Sequence, residues 1–334
     1  MSDRFRAAYL QLVEESRRHP GDWQPSPHEG WKPDYFSAQC VEEELRHFRR
    51  SKLSGGLINF PDRPVTETDQ WRHGLPLKER LIGAAWLWNE YQLLRRHVRG
   101  SGVTLRAGDI RDNAIGHPCG YRVPGVGLVT EAALRQAYYR HQVVAMSGTR
   151  LGQVLEIGAG YGALCGELFG RGYVQQYFIV DLPENMILEW FYLGTLFGER
   201  VHLISHQSQL ARLPAEGIVI LAPWLLPLLF PVSRPMDLGI NTMSFQHMTF
   251  TNVAYYFHWL EALRVRRLYL VNRDFKREPS DVETSRYPIP VSYRRLTKTQ
   301  WVFTNFGNYD ELWYEWQEPT DVIAASHERS TYAR

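Results

Sequence analysis

Cysteine is scarce in this sequence: only three occur among 334 residues, and they are widely separated. This spacing lacks the close pairs that a disulfide framework or a structural zinc site requires. The twelve histidines also include no pair that is spaced, with nearby carboxylates, like the ligands of zinc or non-haem iron. We therefore predict a metal-independent protein of a reducing compartment, with the cytoplasm as its expected location.

A strong excess of one charge is also missing, because 38 Lys and Arg nearly balance 36 Asp and Glu. No global field would attract nucleic acid or an anionic membrane. The most apolar run, residues 218–232, is too short to span a bilayer and is interrupted by three prolines. The first residues carry charges where an export signal needs apolar side chains. We expect a small-molecule or glycan partner, and neither nucleic acid nor membrane.

The first 150 residues show apolar positions at helical spacing among charged ones, which predicts a mainly helical region. Helices are expected over residues 3–18, 37–50, 77–99 and 131–146, and Thr130 is a good N-cap for the last of them. We predict that residues 1–150 form a helical extension, which serves as a lid over the active site or as the surface of a homodimer.

After residue 150 the pattern changes to short apolar runs between helical stretches, which is typical of a parallel sheet covered on both faces. Strands are expected at residues 154–157, 177–180, 218–221, 237–241 and 267–271, with 201–204 as an alternative third strand. Aromatic-rich strands at 300–306 and 311–317, joined by a turn at Gly307 and Asn308, would form an antiparallel edge hairpin. The prediction for residues 151–334 is an α/β, Rossmann-like domain with a mostly parallel sheet of seven strands.

The strongest local signal is the run VLEIGAGYG at residues 154–162, placed where a strand should end and a helix begin. Gly158, Gly160 and Gly162 would let the backbone turn tightly and approach a ligand closely. Asp181 follows the next strand, where a carboxylate can accept hydrogen bonds from both hydroxyls of a ribose. With Ala159 and Leu182 beside them, these residues predict a pocket for a nucleoside-bearing cofactor.

Glycine-rich turns also serve NAD and FAD, and Gly158, Gly160 and Ala163 would satisfy the dinucleotide fingerprint. The carboxylate of Glu156 favours S-adenosylmethionine, because the amino-acid end of that cofactor is cationic and a pyrophosphate would be repelled. An NAD-dependent oxidoreductase on the same fold stays open as an alternative.

Glu156, Gly158 and Gly160 lie in and before the predicted turn, and Asp181 follows the next strand. In these residues the sequence resembles a class I S-adenosylmethionine-dependent methyltransferase. More narrowly, it resembles the bacterial group assigned as sugar O-methyltransferases. This likeness rests on residues 155–162, on DLPE at 181–184, on DLGINTMSFQHM at 237–248 and weakly on IGHP at 115–118. The resemblance implies S-adenosyl-L-methionine as cofactor and methyl transfer to a sugar hydroxyl. A carboxylate or a peptide of a natural product is the alternative acceptor.

Two histidines are candidates for the general base that removes the proton of the hydroxyl. Ligands of open parallel sheets bind beyond the carboxyl ends of the strands, and His247 is expected there. His117 is the second candidate, with a role in the turn before Pro118 as the alternative. The family has a glutamate where this chain has His247, which leaves open a non-catalytic, methyltransferase-like binding subunit. His247 could equally cap or pack the helix that follows it.

Further polar side chains are expected near the ends of the later strands. Asn241 would bind the cofactor, and Gln246, Asn272 and Arg273 would bind the acceptor, or each would satisfy loop backbone instead. Trp224 could stack on adenine or belong to the core. The locally basic segment 264–298 could receive a nucleotide-sugar diphosphate or an acidic glycan, or be a solvated face.

Overall fold

The computed structural model describes residues 2–24, 45–49, 77–118, 120–148, 150–230, 235–276, 279, 281–303 and 308–318. Its α-helices are α1 (Ser2–Arg18), α2 (Leu77–Gly100), α3 (Ala107–Ile110), α4 (Glu131–Ser147), α5 (Ala163–Gly170), α6 (Pro183–Phe197) and α7 (Phe250–Ala262). Its strands are β1 (Tyr121–Val123), β2 (Gly127–Val129), β3 (Leu151–Ile157), β4 (Val174–Val180), β5 (Val201–Ile204), β6 (Gly217–Leu221), β7 (Leu238–Thr242), β8 (Arg267–Arg273), β9 (Tyr293–Gln300) and β10 (Tyr309–Trp316).

Strands β3 to β10 form one sheet in the order β5-β6-β4-β3-β7-β8-β10-β9. Neighbouring strands from β5 to β8 are parallel, whereas β10 pairs antiparallel with both β8 and β9. The chain winds to one side of β3 and then to the other, so a topological switch point lies between β3 and β7, where such sheets bind ligands. The Rossmann-like fold with an antiparallel edge hairpin is confirmed.

The sheet has eight strands rather than the predicted seven, because both runs that competed for the third position are strands. β6 pairs with β4, and β5 pairs with β6 at the outer edge. Every residue of β6 is buried, whereas the two middle residues of β5 are partly exposed. Two apolar runs of four or five residues fit a strand equally well, so periodicity alone could not exclude either.

The first strand of the edge hairpin was predicted in the wrong place. β9 ends at Gln300, where the predicted strand 300–306 begins, and most of its side chains are exposed. Trp301 and Phe303 instead bury their rings against Tyr139 and Tyr138 of α4. An edge strand faces solvent and tolerates polar residues, so the aromatic run marked a core contact and not the strand. Of the predicted turn, Gly307 lies outside the described residues.

The predicted helices at 3–18, 77–99 and 131–146 correspond to α1, α2 and α4. The Thr130 hydroxyl caps α4 by accepting the Ala133 N–H at 3.0 Å. The predicted helix at 37–50 lies outside the described residues except for 45–49. β1 and β2 form a small antiparallel hairpin, which helical periodicity did not indicate. None of the described helices combines the length and the apolarity needed to cross a membrane.

Candidate cofactor and acceptor site

The turn between β3 and α5 has left-handed backbone at Gly158, Gly160 and Gly162, with φ of 71°, 68° and 83°. A Cβ at Gly158 would overlap the Ser244 side chain, and one at Gly162 would lie 2.7 Å from a methyl carbon of Leu193. Glycine is therefore required at both positions by conformation and by close approach. The Gly158 N–H donates to the carbonyl of Val180 at 2.9 Å, which ties the turn to the end of β4.

Asp181 follows β4 and is buried against this turn. Its Oδ2 accepts the Gly160 N–H at 3.1 Å, and its Oδ1 accepts the Leu182 N–H and the Asn185 side-chain amide, both at 2.8 Å. The predicted acid and the predicted glycine turn are thus brought together. Three donors fix the orientation of the carboxylate at the mouth of the turn.

Two further carboxyl groups are buried beside Asp181. Glu156 of β3 accepts a 2.8 Å hydrogen bond from the Tyr177 hydroxyl, and burial raises the pKa of Glu156 to about 8, helped by Asp181 and opposed by Tyr177. Burial, and then the charge of Asp181, raises the pKa of Glu189 well above its usual range. No positively charged side chain of the described residues contributes to either shift. Sequence reasoning missed Glu189, because nothing local distinguishes this mid-helix residue.

Asn241, at the end of β7, joins the glycine turn to the loop before α7. Its Nδ2 donates to the carbonyl of Ile157 at 2.8 Å, and its Oδ1 accepts the Phe245 N–H at 3.0 Å and the Asn272 amide at 2.9 Å. Asn272 in turn accepts the Gln246 N–H at 3.2 Å. These hydrogen bonds hold the loop before α7 in shape. Contact of the amide side chains with a ligand stays a prediction.

Arg273 lies buried behind the same loop. Its Nη2 donates to the Gln246 carbonyl at 2.8 Å and to Asp281 at 3.1 Å, and lies 3.4 Å from His247 Nδ1. His247 is exposed at the end of the short 3-10 turn Phe245–His247. The cap of α7 is Thr249, which accepts the Asn252 N–H at 3.2 Å, so His247 does not cap that helix. The imidazole therefore lies on the surface of the loop, and the Arg273 guanidinium contacts it from the buried side.

His117 lies in a different layer, which is formed by residues 45–49 and 112–117 and covers the glycine turn. Its backbone is left-handed, with φ of 49°, and its Nδ1 lies 2.8 Å from His47 Nδ1. The Phe48 ring packs edge to face on Tyr161 of the turn, and Arg49 lies over the same ring at 5.0 Å. Residues so far apart in the chain carry no local signal of this contact, so sequence reasoning did not find it.

Trp224 follows β6 and contacts the segment after α1. Its ring lies 5.1 Å from that of Trp23 and is stacked with His19 at 6.1 Å. The Asn252 amide of α7 donates to the carbonyls of Asp22 and Gln24. Trp224 therefore packs in the core, which was the alternative to stacking on adenine. Elsewhere, the described side chains include no group of three or more His, Cys, Asp or Glu suited to hold a metal ion.

No protein-family model matches this chain, and no curated protein is similar to it. Among solved structures, it is similar to the magnesium protoporphyrin IX methyltransferase of Synechocystis PCC 6803 with bound SAH, at 13% identity over 58% of this chain and 90% of that chain, with a TM-score of 0.41. It is also similar to an S-adenosylmethionine-dependent methyltransferase of Clostridium acetobutylicum, at 11% identity over 53% of this chain and 89% of that chain, with a TM-score of 0.39. The 1,6-didemethyltoxoflavin-N1-methyltransferase of Burkholderia thailandensis matches at 14% identity over 54% and 76%, with a TM-score of 0.36. Similarity this remote assigns neither cofactor nor substrate, and the fold assignment rests on the strand order.

Proposed function

We propose that this protein binds S-adenosylmethionine at the turn after β3 and transfers its methyl group to a hydroxyl of a sugar-containing small molecule or glycan. One observation carries the proposal. Three buried carboxyl groups, Glu156, Asp181 and Glu189, surround a left-handed glycine turn at the switch point of the sheet. Such a site favours a cationic, ribose-bearing ligand and repels a pyrophosphate, which disfavours the nicotinamide alternative.

The residues present fit this cofactor in a definite way. Asp181 would accept the ribose hydroxyls, one of which would replace the Gly160 N–H, the longest of its three hydrogen bonds. Glu156 would face the cationic amino-acid end, and Ala159 and Leu182 would line the pocket between them. When bound, S-adenosylmethionine supplies a methyl group activated by its sulfonium.

The acceptor would lie beyond β7 and β8, where the loop carrying His247 emerges. Holding the acceptor oxygen in line with the methyl group is the main contribution of the protein to such a displacement. His247 would take the hydroxyl proton, a step that contributes about a hundred- to ten-thousandfold in rate. His117 is the second candidate base. The layer of residues 45–49 and 112–117, with α1, is proposed as the lid, because it contacts the glycine turn through Phe48 and Arg49.

Cofactor choice is tested by thermal unfolding of the full chain with S-adenosylhomocysteine and with NAD. A ligand that binds only the folded state at 100 times its Kd stabilises that state by about 2.7 kcal/mol, which raises Tm measurably. We expect S-adenosylhomocysteine to raise Tm and NAD to leave it unchanged. The reverse result would remove the methyltransferase proposal in favour of the oxidoreductase.

The base is tested with His247→Ala, assayed by methyl transfer from labelled cofactor to a panel of sugars. We expect turnover to fall by about a hundredfold or more while cofactor affinity changes little. His258→Ala, at an exposed histidine of α7, serves as the matched control, and His117→Ala tests the second candidate base. Undiminished turnover in His247→Ala would exclude His247 as the base. Binding of cofactor with no methyl transfer to any acceptor would favour the binding subunit.

A further inference from the structure

Ser244 lies where the loop after β7 meets the glycine turn after β3. A Cβ on Gly158 would be 1.9 Å from the Ser244 Oγ and 2.4 Å from its Cβ. The Ser244 side chain therefore occupies the space that a side chain at residue 158 would need. β3 and β7 are neighbours at the switch point of the sheet, so the hydroxyl stands where the cofactor turn and the acceptor loop touch.

The backbone before Ser244 has an unusual conformation. Met243 has a φ of 59°, in the left-handed region that residues with a side chain rarely adopt. Its N–H donates to the carbonyl of Val271 at 2.7 Å, which anchors the residue to the end of β8. Strain of this kind is concentrated at functional sites. At Met243 it turns the chain so that the next side chain, Ser244, lies against Gly158.

The Ser244 hydroxyl is an accessible donor. The residue is partly exposed, whereas Asn241 and Phe245 on either side of it in the loop are buried. None of the described residues makes a hydrogen bond to this hydroxyl. It is also not among the described polar atoms that are buried without a partner, so part of its surface can be reached by a ligand.

Other donors beside the turn are already engaged. The described hydrogen bonds use the side-chain N–H or O–H groups of Asn185, Tyr177, Asn241 and Asn272. Arg49 lies over the Tyr161 ring of the turn, but both oxygens of Asp112 hold its guanidinium. Arg273 lies behind the loop and pairs with Asp281. Ser244 therefore offers this part of the site a donor for which no described residue competes.

The charges of the cofactor decide what this donor would meet. The amino-acid end of S-adenosylmethionine carries an ammonium and a carboxylate. The buried carboxyl groups of Glu156, Asp181 and Glu189 suit the ammonium and repel the carboxylate. The carboxylate therefore needs a donor away from these groups, and a hydroxyl can donate to it.

We infer that the Ser244 hydroxyl binds the carboxylate of the amino-acid end of the cofactor. The inference rests on the proposed function and adds to it a residue of the acceptor loop. Through this contact the bound cofactor would join the glycine turn to the loop that carries His247. The loop would then recognise the cofactor by a hydroxyl, while its buried amides hold the backbone in shape.

The test is isothermal titration calorimetry of the full chain with three probes. S-adenosylhomocysteine carries the whole amino-acid end, an analogue with an aminopropyl group in its place keeps the ammonium but lacks the carboxylate, and methylthioadenosine lacks both. We expect Ser244→Ala to weaken binding of S-adenosylhomocysteine at least about fivefold, through loss of a hydrogen bond to a charged group. The affinity for the other two probes should change by less than about twofold. The variant keeps its Cβ against Gly158, so Tm should change little.

Thr242→Val is the matched control. Thr242 is a partly exposed hydroxyl residue two positions earlier, and it points to the opposite face of β7 from Asn241. It is not among the residues nearest to a Cβ on Gly158. The control should bind S-adenosylhomocysteine as the parent does.

A smaller loss in Ser244→Ala, or an equal loss in Thr242→Val, would overturn the inference. An equal loss with the aminopropyl analogue would also overturn it, because the hydroxyl would then contact a group other than the carboxylate. A parent chain that binds none of the three probes would remove the proposed function together with the inference. Binding of S-adenosylhomocysteine by the parent with no loss in Ser244→Ala would remove the inference alone.

Discussion

The edge of the sheet at which the parallel strands end has two halves. They differ in how their buried polar side chains are satisfied. Beside β3 and β4 lie carboxyl groups whose pKa values are raised by burial and not lowered by any described cation. Beside β7 and β8 lie amides, with Asn241, Gln246 and Asn272 hydrogen-bonded to one another and to the backbone. No described cation balances the first half, which we call the carboxyl half, whereas the side chains of the second, the amide half, are hydrogen-bonded to one another and to the backbone.

This difference indicates different roles for the two halves. Burying ionisable groups without an opposite charge nearby costs stability, and a protein keeps such groups where a ligand compensates them. A fully satisfied hydrogen-bond network instead makes a loop rigid. We therefore propose that the carboxyl half recognises the cofactor and that the amide half holds the acceptor loop in place.

The largest expected effect comes from Asp181→Ala, which removes the central group of the carboxyl half. Two charge-assisted hydrogen bonds to a ribose are worth about 1.5–3 kcal/mol each, so the affinity for S-adenosylhomocysteine should fall at least about a hundredfold. Isothermal titration calorimetry measures it. Glu199→Ala, an exposed carboxylate just after α6, is the control and should leave the affinity unchanged. An affinity within threefold of the parent, in a folded Asp181→Ala variant, would contradict the assignment.

Gly158→Ala tests the contact between the halves, because Gly158 touches Ser244 of the acceptor loop. The free energy of unfolding should fall by about 2 kcal/mol or more, from left-handed strain together with overpacking. Gly172→Ala is a close control: its φ is 75°, but nothing lies within 4 Å of its added Cβ. That variant should lose only about 1 kcal/mol, from strain alone. Equal losses in urea unfolding would mean that the contact with Ser244 is unimportant.

The third prediction concerns pH. A cationic ligand favours ionised Glu156, whose pKa is about 8 in the protein without ligand, so binding releases a proton. The affinity for S-adenosylmethionine should therefore rise between pH 6 and 8, by at most about tenfold per unit. Without ligand the sign is opposite, since a carboxyl group with a raised pKa stabilises the fold at low pH and loses this contribution as pH rises through about 8.

Glu156→Gln should flatten both pH dependences, as measured by calorimetry and by unfolding at a series of pH values. Asp181 and Glu189 also face this group and have raised pKa values, so a smaller slope should remain. An unaltered slope in Glu156→Gln would show that another group takes up the proton.

The smallest effect is expected from Glu189→Gln. If Glu189 is neutral at pH 7, as its raised pKa indicates, an amide of the same shape should change the free energy of unfolding by no more than about 0.5 kcal/mol. The matched exchange is Glu311→Gln, at a buried carboxylate that accepts hydrogen bonds from Tyr138, Tyr269 and Gln142. That variant should lose about 1–3 kcal/mol, because an amide nitrogen cannot accept. Equal losses would mean that the exchange at Glu189, with its raised pKa, is no better tolerated than the exchange at Glu311, which accepts three hydrogen bonds.

Local signals predicted most of the fold and the contact between the glycine turn and Asp181. The glycine turn and Asp181 follow two successive predicted strands, so the sequence predicts that they lie close together at one edge of the sheet. The hydrogen bond from the Gly160 N–H to Asp181 confirms this contact. The strands β3, β4, β6, β7 and β8 were predicted because buried parallel strands are short apolar runs. β9 was misplaced because its neighbours in the sequence are more apolar than the strand itself.

The parts that could not be predicted depend on contacts between distant residues. Glu189 matters only because α6 turns it toward Asp181 and Glu156, and one sequence does not reveal which of the many apolar faces of this helix lies toward a site. The contact of Phe48 and Arg49 with Tyr161 depends in the same way on the layer of residues 45–49 and 112–117 lying over the glycine turn. The basic segment was noticed, but only the fold separates Arg273, which is buried behind the His247 loop, from Arg294 and Arg295, which are exposed.

The hydrogen bonds from Asn252 to the carbonyls of Asp22 and Gln24 join residues separated by 230 and 228 positions. At about 5–20 residues per second, a ribosome needs on the order of 10–50 s to make the chain between them. During that interval α1 has been synthesised while α7 has not, and the Phe5 ring of α1 packs only once Trp190 and Phe191 of α6 have been made. Of the two segments that Asn252 joins, the earlier one is thus secured only after the later one has been made, and folding of this region is expected to be slow for its size.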